Sequence, residues 1–234
     1  MTPDIIPLIA LTLGASWASG INLYAAILTL GIMHNTGSVH LPPGLELLGD
    51  PLVLGAAGLM YAVEFFADKI PGVDNAWDTL HTFIRIPAGI MLAYGATTEL
   101  GPAAQIAASI IGGGMATASH ATKAGGRVVI NTSPEPVTNW IASITEDAAV
   151  IGGLWTAMHY PITFILLLIL FIAFAIWILP KIWRGIKRIF RFFLKLFGKK
   201  VDEEEIQSLP APNTILNPAS EATTTLSDDK HENQ

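Results

Sequence analysis

Cysteine is absent from the 234 residues, which excludes disulfides and thiolate metal sites. Charge is also scarce: 14% of the residues are charged, against roughly 25% in a soluble globular chain. Basic residues are the scarcest. Up to residue 180 they are only Lys69, Arg85, Lys123 and Arg127. A chain with 51% hydrophobic residues and so little charge reads as an integral membrane protein. The net charge of -6 describes no single surface. Residues 181–200 hold eight bases and no acid, and residues 201–234 hold eight acids and one base. The start of the chain lacks the basic region of a secretory leader, with Asp4 in its place. Ile5–Leu30 therefore reads as a helix that stays.

A membrane span needs about 20 mostly apolar residues. Six segments qualify, near 5–32, 50–67, 77–97, 102–122, 138–158 and 161–180. The expected fold is all-α, a polytopic bundle over residues 1–180. A basic amphipathic helix is expected at 181–200 and a disordered acidic tail at 201–234. Basic residues mark cytoplasmic loops. With residues 181–200 inside, six crossings place both termini in the cytoplasm of a bacterium, at its inner membrane. Lys69, Lys123 and Arg127 then also face inside, and the outer loops hold no Lys or Arg.

In residues 181–200, Ile182, Ile186, Ile189, Phe193 and Leu196 recur at helical spacing, with Arg184, Lys187, Arg188, Arg191 and Lys195 mostly opposite. That pattern suits a helix lying on anionic lipid. Residues 201–234 carry too few apolar groups to order themselves.

Charge inside a span costs at least about 2.5–3.5 kcal/mol and normally faces protein or a wet cavity. Glu64 and Asp68 lie four apart at the end of the second span. Asp74, Asp78, His81 and Arg85 then fall at i, i+4, i+7 and i+11, one stripe of the third helix. Pro87 and Gly89, just beyond, are placed to kink or thin that helix. His120, Lys123 and Arg127 share a face of the fourth span. Glu135 lies in the NTSPEP linker, and Asn139, Ser143 and Glu146 follow at i, i+4, i+7 with Asp147 adjacent. In the first span, Ser19-Gly20-Ile21-Asn22-Leu23-Tyr24 puts polar groups at mid-span. It reads either as small-residue packing or as a broken helix beside a cavity.

Two echoes run through the chain. Pro71, Asp74, Asp78 and His81 match Pro136, Asn139, Ser143 and Glu146 at an offset of 65 residues. GASWASG at 14–20 resembles GGGMATA at 112–118. An internal repeat fits either, and the two imply different symmetries.

The stretches GINLY, ADKIPGVDNAWDTLH and NTSPEP resemble a bacterial membrane family described as domain of unknown function 4126, over roughly residues 5–160. The resemblance implies no activity. It implies that the polar residues of those motifs are the ones the family uses.

The expected function is a small transporter or permease for an ion or small polar solute, with a site open to the cytoplasm. Asp74, Asp78 and Glu146 would bind a cation or carry protons, His81 would switch charge near neutral pH, and Arg85 would hold a carboxylate or an anion. One alternative is a Mg²⁺-dependent enzyme on a lipid or polyprenyl phosphate, using Asp68, Asp74 and Asp78 with Lys123 and Arg127. No H-E-x-x-H or G-x-S-x-G motif supports hydrolysis. A membrane assembly factor is the third reading. No cofactor and no nucleic acid is expected. Lipid and a small solute are the expected partners, the metal is undetermined, and an oligomer is compatible with the chain.

Overall fold

A computed structural model describes residues 4–70, 72–131 and 136–198. Among them are six α-helices, α1 (Ile5–Asn35), α2 (Pro51–Ala67), α3 (Val73–Ala96), α4 (Pro102–Ile130), α5 (Pro136–His159) and α6 (Pro161–Gly198), with short 3₁₀ helices at Pro43–Gly49 and Thr98–Leu100. No strand occurs among the described residues. Each segment expected to span is a helix. The acidic tail, Pro71 and Glu135 lie outside the described residues.

By length and composition, two helices can cross a membrane: α1, and α6 over residues 161–188. A third candidate joins Pro43–Gly49 to α2 across a 64° bend. The list is short for a physical reason. The inner faces of α3, α4 and α5 carry charged, glycine and small polar residues where a lone span would carry aliphatic ones.

α1 packs against α3, α4 and α5, and Ala10, Ala15, Ala18, Ala26 and Leu30 on it are fully buried. Its interior is broken at Asn22, whose backbone is extended (φ -146°, ψ 98°). The Asn22 Oδ1 accepts from the Ala25 N–H at 3.0 Å. That is the bond of a helix N-cap, so residues 23–35 begin a second, newly capped helix.

The chain turns back at this cap. α3 and α5 run in the same direction, because Asp74 and Asn139 near their starts both bind Asn131. Before the break, Gly14 lies against Ala157 and Gly153 against Trp17, far along α5. After the break, Gly31 lies against Leu48, and the same 3₁₀ helix meets Gly95, far along α3, through Gly44. Residues 14 and 31 thus lie toward the same end of the bundle and Asn22 toward the other. A continuous helix would separate them along its axis by about 25 Å, at 1.5 Å per residue. The segment expected as one helix over 5–32 is therefore interrupted: residues 5–21 and 23–35 form a helical hairpin.

Small residues allow the close approach. A methyl on Gly20 would overlap the Ser119 hydroxyl and the Ala116 carbonyl. Gly89 meets Ala116, and Gly112 meets Ala93 and Ser16. Ser16 and Ser19 donate to the carbonyls of Gly89 and Arg85 at 3.0 and 2.7 Å. α3 passes through Pro87 as one helix.

α6 presents Phe164, Leu168 and Ala175 to the core, while Leu166, Leu167, Ile169, Leu170, Phe174 and Ile176 are exposed. It continues through Pro180 into the basic stretch without a break, so the expected boundary at 181 does not interrupt the helix. Leu80, Phe83, Met91, Ile106 and Ile110 on α3 and α4 also point outward, an apolar surface suited to lipid.

Replacing Asn22 with Ala removes the cap and should lower stability by about 1 kcal/mol. Replacing Gly20 with Val forces overlap with α4 and should cost more, on the order of 3 kcal/mol. Thermal unfolding of the two variants in detergent, ranked against the native chain, measures both.

Candidate functional site

The charged groups lie in the second halves of α2 and α4 and from the starts to the middles of α3 and α5, and the tip of the α1 hairpin sits beside them at the level of Asp147. Helical spacing delivers the groups. α2 supplies Glu64 and Asp68, α3 supplies Asp78 and Arg85, α4 supplies His120, Lys123 and Arg127, and α5 supplies Glu146.

Lys123 sits at the centre. Its Nζ lies 3.1 Å from Asp68, 3.4 Å from Glu64, 3.4 Å from Glu146 and 3.7 Å from Asp78. Arg85 bridges Glu64 at 2.6 Å and Asp78 at 2.9 Å. Arg127 bridges Glu146 at 2.7 Å and Asp68 at 3.4 Å, and donates to the Asp68 carbonyl at 2.9 Å. The side chains of Glu64, Arg85 and Arg127 have no exposure, and only Glu146, at 19%, reaches out. Four carboxylates thus face three bases. An ion brought out of water is tolerated only with opposite charge and hydrogen bonds around it. Glu64 Oε2, Asp68 Oδ1 and Asp78 Oδ2 are nevertheless buried without a hydrogen-bond partner.

The other sequence-predicted residues form two flanking groups. At the outer end, Asn131 donates to both oxygens of Asp74 at 3.0 and 2.8 Å and accepts from Asn139 at 2.8 Å. Asp74 also accepts from the backbone N–H groups of Gly72 and Asn75. It closes the start of its own helix and does not join the ion pairs. At the hairpin tip, Asp147 accepts from Asn22 at 2.8 Å and from Tyr61 at 3.0 Å.

His81 lies beside the cluster. It meets Tyr24 at 3.1 Å and stacks on Trp77 with centroids 4.4 Å apart. His120 meets Thr82 at 2.7 Å and receives a long contact from Arg85 at 3.4 Å. An arginine can only donate, so the facing nitrogen of His120 accepts. Ser143 meets Lys69 at 3.4 Å.

The acidic groups of α3 and α5 therefore do converge, through Lys123, while Asp74, Asn139, Ser143 and Asp147 stand apart from the ion pairs. The sequence reading omitted Tyr61 and Thr82. Tyr61 is three residues before Glu64 and on the same face, a signal that was available. Thr82 is a lone hydroxyl whose role depends on where α4 packs.

A cavity of about 180 Å³ opens onto Lys123, Arg127 and Glu146, walled by Ile21, Ile130 and Phe171. Two larger cavities, about 330 and 380 Å³, are apolar and flank Trp17 and Trp155. Among the described residues, no group of three or more histidine and acidic side chains is arranged to hold a metal ion. The set Asp68, Asp74 and Asp78 is split between Arg127, Asn131 and Arg85.

Arg85→Met leaves Glu64 and Asp78 buried with less opposing charge and should cost about 3–5 kcal/mol. Arg85→Met combined with Glu64→Leu should recover part of that loss. Thermal or denaturant unfolding in detergent reports both values, and a fully additive pair would contradict the coupling.

No curated protein and no solved structure matches the chain. A family profile described as a domain of unknown function (DUF4126) matches residues 9–181, from α1 into α6 and including every member of the ionic cluster. With most of its length inside that match, the chain belongs to the DUF4126 family.

Proposed function

We propose that the protein is a small multi-pass permease of a bacterial inner membrane, moving an ion or small polar solute through the ionic cluster. One observation carries the reading: four carboxylates and three bases are packed at the tip of a broken, re-entrant helix, with a cavity reaching the central lysine. A bundle held only by packing has no use for an excess buried carboxylate, whereas ionisable residues at membrane depth are characteristic of ion and proton paths. Broken helices are where transporters expose backbone and side-chain polar groups to a solute. Asp78 and Glu146, the α3 and α5 partners of Lys123, are the groups whose charge the solute or a coupled proton would alter.

The hairpin also sets the proposed topology. The start of the basic stretch, Lys181–Arg184, lies at the cluster's end of α4, since Ile182 packs on Gly125. Placing that end in the cytoplasm puts residue 4 and the 36–42 loop on the outer side, which gives five crossings and a hairpin entering from outside. The N-terminus is then external, in place of the expected cytoplasmic position. Neither outer segment contains Lys or Arg, as the charge rule requires. The Mg²⁺-enzyme alternative gains no support from the three dispersed aspartates.

Purified protein in liposomes should pass a labelled solute, and Asp78→Asn or Glu146→Gln should reduce that flux at least about tenfold with the fold retained. Unchanged flux in both variants removes the site assignment. The absence of cysteine makes the topology directly testable. Single cysteines replacing Asp4 and Ser38 should react with an impermeant maleimide from the same side, and one replacing Gly72 from the opposite side.

A further inference from the structure

The occupant of the cluster indicates the chemistry that the cluster recognises. We propose that Glu64, Asp68, Asp78 and Glu146 form a binding site for a small primary ammonium ion, which enters beside the Lys123 ammonium or takes its place. The inference rests on the permease reading and deepens it by naming the substrate class.

The spacing sets the ion type. Four carboxylate oxygens surround the Lys123 Nζ at 3.1–3.7 Å. Of the four, Asp68 and Glu64 accept hydrogen bonds from the ammonium at 3.1 and 3.4 Å, distances of an N–H donor, whereas oxygen ligands of a hard metal ion close to about 2.0–2.6 Å. No metal-like grouping of acids exists among the described residues. An ammonium has three donors, and Arg85 and Arg127 each take one oxygen of two of the four carboxylates.

Three carboxylate oxygens of the cluster are left over, as is one donor, Arg85 Nε. Glu64 Oε2, Asp68 Oδ1 and Asp78 Oδ2 have no partner, and their side chains are at most 3% exposed. The formal balance agrees. The cluster carries one more carboxylate than Lys123, Arg85 and Arg127 can offset, and one monovalent cation would neutralise it. His120 adds no donor toward Arg85, because its facing nitrogen accepts.

Access and size are also compatible. The 180 Å³ cavity opens on Lys123 and on Glu146, the most exposed member of the cage. A water occupies about 30 Å³ of liquid, so a methylammonium-sized ion fits with its methyl against Ile21, Ile130 or Phe171. The long, flexible lysine stem lets a compact charge shift without moving a helix.

The test is equilibrium binding of radiolabelled methylammonium to the purified full chain, with sodium as competitor. The native chain should bind it saturably and sodium should compete poorly. Glu64→Gln, which removes the excess charge, should weaken binding at least about tenfold, and Lys123→Ala, which enlarges it, should tighten binding by a similar factor. Should Lys123→Ala not fold, thermal unfolding decides, because methylammonium should raise the midpoint of the native chain and not that of Glu64→Gln. The proposal is overturned by no saturable binding in the native chain, by equal competition from sodium, or by binding unchanged in Glu64→Gln. Binding without flux in liposomes would remove the permease reading and leave this site standing. Flux of some other solute without methylammonium binding would do the reverse.

Discussion

The structure depends on the placement of Lys123 among acids from three other helices. Its Nζ contacts α2 through Glu64, α3 through Asp78 and α5 through Glu146. A buried ammonium is tolerable only where such groups surround it, so the rotation and height of four helices are fixed by one atom. Arg85 and Arg127 reinforce the constraint on either side, each tying two of the same four carboxylates. Buried ion pairs contribute little net stability compared with apolar packing. Their effect here is to specify which helix faces meet.

Close packing supplies the cohesion that the ions do not. Gly20, Gly89 and Gly112 bring the backbones of α1, α3 and α4 into contact, as small residues do between membrane helices. The hydroxyls of Ser16 and Ser19 then reach carbonyls on α3. Charged end and small-residue middle are two layers of one bundle. The break at Asn22 lies where they meet.

Much of this was legible in the sequence because helical spacing is rigid. Glu64 with Asp68, and Asp78 with Arg85, point inward for reasons of periodicity alone, and the structure brings them together. Asp74 misled because the stripe rule ignores helix starts. A first-turn aspartate is drawn to free N–H groups, and this one takes those of Gly72 and Asn75.

The hairpin was harder to see. An apolar run of this length reads as one span by composition, whichever way it folds. The break required noticing that Asn22 can cap the helix after it. The direction of the first of the two echoing segments, 14–20, depends on that same fold. With the hairpin, residues 14–20 and 112–118 run alongside each other in the same direction, Ser16 at Gly112 and Gly20 at Ala116.

The tip of the hairpin has a consequence for how the chain is made. Asn22 is held by Asp147, 125 positions later, and Trp17 and Gly14 lie against residues of α5 and α6. α1 leaves the ribosome before α5 and α6, the helices that hold these partners. Until α5 arrives, the Asn22 amide must rely on water or the insertion machinery, so the tip of the α1 hairpin settles only after α5 has been made.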